Sequence, residues 1–261
     1  MKILEISLVS LYEGITITIV SSLVLFTIIS LSKRKPEWGG ILSSFPTSVA
    51  LILIFTAVFN GAETVRTVAM SLSAAIVLFN IWILSYYNLS KKTRASTTAI
   101  LSLMILALFA LLYQFINTHF IVLFFVYGIV WFIGSRFFYP LIKLKQVYSV
   151  SKNNSLILII TCAVYVAVIV SLSKFTAPLI TAVLSAFPTS ALFGAYYNQR
   201  VSSVNLSRFL GSMYIATPTI SLFCLVITLT SSLSIMWSFI AGFGVAIICA
   251  FVFSRVVRNI A

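Results

Sequence analysis

Phe45-Pro46-Thr47-Ser48 lies inside one apolar stretch, and Phe187-Pro188-Thr189-Ser190 lies inside another, 142 residues later. At the same offset, without a gap, Pro36 matches Pro178, Leu42 matches Leu184, Ser43 matches Ser185 and Arg66 matches Arg208. One shared tetrapeptide would mean little. Further identities in one register, around a proline in mid-segment, point to an internal duplication.

Composition sets the solvent. The 261-residue chain is 61% hydrophobic and 8% charged, with a mean hydropathy of +1.15. A soluble domain carries about 25% charged residues. A single soluble core cannot absorb this much apolar surface, so most of the chain must face lipid or other buried helices. The net charge of +13 would suggest nucleic acid in a soluble protein. Here the cationic loops of a multi-pass membrane protein account for it, and no nucleic-acid partner is expected. Cys162, Cys224 and Cys249 stand in apolar stretches without CxxC spacing and read as small core residues. The first apolar stretch is too long for a signal peptide and no Ala-x-Ala site follows it, so no cleavage is expected.

A membrane span needs about 20 apolar residues. Nine such segments are expected, at approximately 11–31, 39–59, 67–87, 97–117, 120–140, 155–173, 177–197, 207–230 and 232–253. The basic residues test the count. With nine spans, Lys2, Arg66 and Lys174 fall on one side. Lys33, Arg34, Lys35, Lys91, Lys92, Arg94, Arg136, Lys143, Lys145, Lys152, Arg200, Arg208, Arg255 and Arg258 fall on the other. Lys and Arg collect in cytoplasmic loops. The expected topology therefore has its N-terminus outside and its C-terminus in the cytoplasm of a cell-membrane protein.

In that topology the two Phe-Pro-Thr-Ser segments run in opposite directions. The expected fold is an all-α transmembrane bundle in a 4+1+4 inverted arrangement. Residues 1–118 form a first four-helix unit. Residues 119–150 hold a linking helix and a cytoplasmic loop, and residues 151–261 form the second, inverted unit. Inverted repeats are a recurring plan of transporters, with sites near the midplane at the repeat interface.

The repeated phrase has two readings. A mid-helix proline kinks a helix and leaves the carbonyl four residues back, Leu42 or Leu184, without its usual donor. Ser43, Ser44, Phe45, Pro46, Thr47 and Ser48, with Ser185, Phe187, Pro188, Thr189 and Ser190, would then line a small polar pathway at the bilayer centre. Alternatively, prolines and small hydroxyls only permit close helix packing. Glu63, Arg66 and Arg208 are candidate entrance charges, with interfacial snorkelling as the simpler reading. Thr217-Pro218-Thr219 marks a second break with no counterpart at Ala75-Ile76-Val77. Asn80 and Gln114 are expected to hydrogen-bond between helices. Trp38, Trp82, Trp131 and Trp237 read as interface or lipid anchors.

The chain has one histidine, His119, and four acids, Glu5, Glu13, Glu37 and Glu63. No nucleophile–base set, paired carboxylates, phosphate loop or metal-ligand cluster is visible. No catalysis, cofactor or metal is expected. The expected partners are the lipid bilayer and a small solute or ion, and self-association is compatible with the sequence.

The stretch from Gly40 through Phe45-Pro46-Thr47 to Ala50-Leu51, followed by Gly61, Glu63 and Arg66, resembles the GlpM-like family of small bacterial membrane proteins. The resemblance covers roughly residues 15–117. It implies a four-helix unit and only a loose association with cell-surface polysaccharide production. The second unit keeps Phe187, Pro188, Thr189 and Arg208. Its Ala191-Leu192 pair comes one residue sooner, and Asn205 stands where the first unit has its acid. The resemblance thus implies two such units fused through a linking helix. Two functional readings follow: a small transporter or channel, or an accessory protein of an envelope-assembly complex.

The topology is checked with reporters. A fluorescent protein fused behind Ala261 is expected to be bright, and alkaline phosphatase fused there silent. Phosphatase activity at that position would reverse the orientation.

Overall fold

The structure, a computed structural model, describes residues 19, 23–113, 120–144, 189–232 and 234–260. Among them there are helices and turns and no strand. The helices are α1 (residues 23–34), α2 (Pro36–Ser43), α3 (Thr47–Ser90), α4 (Ala95–Tyr113), α5 (Phe120–Ile142), α6 (Thr189–Val201), α7 (Ser203–Ala216), α8 (Pro218–Thr230) and α9 (Ile235–Ile260). The expected segment at 155–173, parts of those at 11–31, 97–117 and 177–197, and Gln114, His119 and Cys162 lie outside the described residues.

Proline punctuates the chain as its chemistry requires. Pro36 and Pro218 each open a helix, where a missing N–H costs nothing. α2 ends at Ser43, before Pro46, and α3 resumes at Thr47. The expected segment at 39–59 is therefore two helical pieces rather than one kinked helix.

α3 is itself two arms. Gly61 has φ 82° and ψ 171°, a backbone conformation essentially reserved for glycine. Val49, Ala50 and Leu53 of the first arm pack with Val65, Val68 and Leu72 of the second, so the chain doubles back at Gly61. In the 142-residue register Gly61 corresponds to Ser203. There too a helix ends, but by different means. Ser202 is extended, and its side chain accepts a hydrogen bond from the Asn205 amide at 3.0 Å, an ordinary N-cap.

Four stretches are long and apolar enough to cross a membrane: Gly61–Ser90, Phe124–Ile142, Ser203–Thr230 and Ile235–Asn259. Their burial divides them. The first and third are 65% and 78% buried, the second and fourth 22% and 17%. Two helices are thus central and two peripheral. On α5 the side chains of Val122, Phe125, Ile129, Phe132 and Ile133 are exposed. They recur at helical spacing and form the apolar outer stripe of a helix that faces hydrocarbon.

The two central helices lie side by side and run antiparallel. Val65, Val68 and Leu72, at the start of one, share a cluster with Phe223, Cys224 and Ile227, at the end of the other. Phe79, Trp82 and Tyr86 share the opposite cluster with Leu206, Phe209 and Met213. α2 and α7 approach each other closely. A Cβ on Gly40 would fall 2.2 Å from the Phe209 carbonyl oxygen and 2.9 Å from the Met213 nitrogen. Only hydrogen fits there.

Gly61 stands in open space, and a methyl group in place of its hydrogen would meet nothing within 4 Å. Gly61→Ala is therefore expected to destabilise through backbone strain alone, by about 1–3 kcal/mol, read as a lowered unfolding midpoint in detergent. An unchanged midpoint would mean that the turn relaxes.

Candidate functional site

Around Pro46 the chain closes its own polar groups. The Phe45 amide donates to the Leu42 carbonyl and the Ser44 amide to the Ile41 carbonyl, each at 3.1 Å. The Leu42 carbonyl expected to need an outside donor has one three residues on. The Ser43 hydroxyl donates to the Gly39 carbonyl at 2.8 Å. The Ser44 hydroxyl donates to the Met213 carbonyl at 2.8 Å, across to α7. Pro46 is buried, and Phe45 stacks on Phe243 with ring centroids 6.4 Å apart. Thr47 is half-buried. The first copy of the motif is thus a sealed junction between α2, α3, α7 and α9.

The second copy is only partly in view. Ser185, Phe187 and Pro188 lie outside the described residues. Thr189 and Ser190 begin α6 in the described backbone; their side chains, and that of Ser48, lie outside the description. α6, which begins with Thr189 and Ser190, packs against α7 and α1. Gly194 stands close to Phe209 and to Ile28 of α1, and Ala191, Leu192 and Ala195 belong to the same cluster as Phe209 and Met213.

The expected entrance charges separate. Glu63 and Arg66 are exposed. Arg208, the register counterpart of Arg66, is 6% exposed and faces Glu37, itself 7% exposed. Arg208 Nε and Nη2 each lie 3.3 Å from Glu37 Oε2, and Nη1 donates to the Leu144 carbonyl. One guanidinium therefore joins the first turn of α2, the body of α7 and the chain just beyond α5. Arg suits this role because its planar fork can serve several acceptors at once. Arg208 is a structural tie and not a charge at an open mouth.

Glu37 was not a sequence candidate, although a signal existed. Asn205 replaces the acid that precedes Arg66 by three residues, so Arg208 lacks a local partner. Of the four acids, Glu37 alone falls with Arg208 on the expected cytoplasmic side.

Among the polar side chains buried in the central helices, three near mid-length have unpartnered atoms. Asn80 is fully buried, and neither its amide oxygen nor its amide nitrogen has a hydrogen-bond partner. The interhelical bond expected of it is not formed among the described residues. The hydroxyls of Thr219 and Ser221 are likewise buried and unpartnered. Each of the three lies nine to eleven residues from the nearer end of its stretch, about 14–16 Å at the helical rise. An unsatisfied amide or hydroxyl in an apolar medium costs several kcal/mol. The break at Thr217, by contrast, is satisfied. Its hydroxyl donates to the Tyr214 carbonyl at 2.8 Å and lies 3.2 Å from the Tyr127 hydroxyl.

Two tryptophans depart from their expected role. Trp82 is fully buried and donates to the Ser102 hydroxyl at 3.2 Å. Trp131 donates to the Ile215 carbonyl at 3.2 Å. Both hold helices together. Trp38 and Trp237 are exposed. Among the described residues no three His, Cys, Asp or Glu side chains come together as a metal site.

The charge pair yields a clear test. Arg208→Met leaves Glu37 buried and unpaired, and is expected to cost about 3–5 kcal/mol of stability. Adding Glu37→Gln removes the stranded charge and should recover much of that loss. A double variant as unstable as the single one would show that the pair is not the source.

No family model, curated protein or solved structure matches the chain.

Proposed function

We propose that this chain is a small, non-enzymatic permease or channel of the cell membrane. It passes a small neutral or anionic solute, or an ion, near the crossing of its two Phe-Pro-Thr-Ser segments. In this reading nine spans form two GlpM-like units joined by α5, the second inverted on the first, with the C-terminus in the cytoplasm. The antiparallel pairing of Gly61–Ser90 with Ser203–Thr230 supports that arrangement, since these stretches coincide in the 142-residue register.

The observation that carries the transport reading is the set of unpartnered polar side chains inside membrane-length helices. Asn80 leads, with Thr219 and Ser221 on the neighbouring helix. Polar groups at such depth are costly and in membrane proteins mark solute or ion pathways. The scarcity of acids favours a neutral or anionic cargo over proton-coupled cation export.

A second reading is favoured by the sealed first junction. Ser43, Ser44 and the Leu42 carbonyl are all satisfied within the protein, as packing alone would require. This reading is an accessory protein of an envelope-assembly complex that moves nothing.

Proteoliposomes separate the two. Glycerol, urea, chloride and nitrate serve as probes. The transport reading expects the wild-type protein to pass at least one of them well above empty vesicles. Asn80→Leu, and Pro46→Ala combined with Pro188→Ala, should remain monodisperse and lose at least tenfold of that flux. Wild-type flux equal to empty vesicles for all four probes, or full flux in both variants, would overturn it.

A further inference from the structure

The ends of α2 and α9 enclose a groove of about 410 Å³. Its walls change character along its length. Ile41 and Leu42 of α2 and Phe45 just beyond it face Ala250 and Phe251 of α9, while Trp38, Arg255 and Arg258 stand at one end. The helix directions explain the gradient. α2 begins near Trp38 and deepens toward Phe45. α9 deepens in the reverse sense, from Arg258 back to Ala250, roughly 12 Å at the helical rise. Both cations and the tryptophan therefore lie at the same end.

The cations are held ready. Arg255 and Arg258 are exposed, and the Arg255 guanidinium lies over the Phe251 ring, 4.5 Å from its centroid. Among the described residues no carboxylate meets either of them. Of the two acids among the described residues, Glu37 is committed to Arg208, and Glu63 lies beside the Gly61 turn, at the far end of the central helices.

We infer that this groove binds an anionic phospholipid, with the lipid phosphate on Arg255 and Arg258 and an acyl chain along Ile41, Leu42, Phe45 and Phe251. An apolar trough that ends in two arginines and a tryptophan matches a lipid's own order of chain, interface and headgroup. Basic pockets between membrane helices on the cytoplasmic side suit such headgroups. A free phosphate ion would use the arginines and leave the trough without purpose.

The experiment uses the full chain, purified in detergent and analysed by native mass spectrometry. The added probes are phosphatidylglycerol, phosphatidylcholine of the same chains, and inorganic phosphate. The expected result is phosphatidylglycerol retained at least tenfold over phosphatidylcholine. Arg255→Gln/Arg258→Gln should abolish that preference, and Arg255→Lys/Arg258→Lys should keep most of it. Ala250→Trp, which fills the trough and leaves both charges, should also lower retention. Equal retention of the two lipids overturns the inference, as does unchanged preference in the Gln variant. Displacement of bound phosphatidylglycerol by millimolar phosphate would make the ligand a soluble anion and overturn the lipid assignment.

Discussion

The contact on which the rest depends is the one between α2 and α7. Gly40 brings one helix against the backbone of Phe209 and Met213 and the hydroxyl of Ser212, leaving no room for a Cβ of its own. In a medium that offers no hydrophobic force between helices, such close approach is a main source of cohesion. The Ser44 hydroxyl then reaches the Met213 carbonyl, and Glu37, near the start of α2, meets Arg208, near the start of α7. Packing, hydrogen bond and ion pair follow one another along the same seam. Each is short-ranged, and the close backbone approach requires the absence of a Cβ at Gly40.

That seam also explains how a chain so poor in acids tolerates a buried arginine. A guanidinium inside an apolar body needs several acceptors, and one carboxylate cannot occupy its whole fork. The Leu144 carbonyl adds a second acceptor. The order of elements matters here. α5 must end beside α7 for Leu144 to be in reach, and Trp131 and Tyr214 hold those two helices together through the Ile215 and Val130 carbonyls.

Much of the architecture was legible in the sequence, because proline and length act locally. Pro36 opens a helix as expected, Pro46 and Pro218 stand at helix boundaries where kinks within single helices were expected, and the long apolar runs contain the helices of Trp82, Phe132, Leu210 and Phe243. What was hidden is which way each helix faces. In a soluble helix the polar face names the outside. Here lipid and core are both apolar, so Trp82 reads the same on either side, and only packing reveals that it is interior. The polar groups failed for a related reason. Asn80 announces a cost without announcing its partner, and Arg208 paired with an acid 171 residues away that no spacing rule connects to it. The Leu42 carbonyl was misjudged because a helix that stops, unlike one that kinks, turns tightly enough to satisfy itself.

The turns at the two ends of the central pair set how the molecule breathes. At Gly61 the chain reverses in open surroundings, with Ala62 and Glu63 exposed beside it. At the other end of the same central pair, every residue from Asn205 to Ala216 is buried. Local opening draws on regions with few buried contacts. Amide protons near Gly61 should thus exchange with solvent through fraying, while those around Arg208 wait for far larger openings. The central pair is loosely held at its Gly61 end and tightly packed at its Arg208 end.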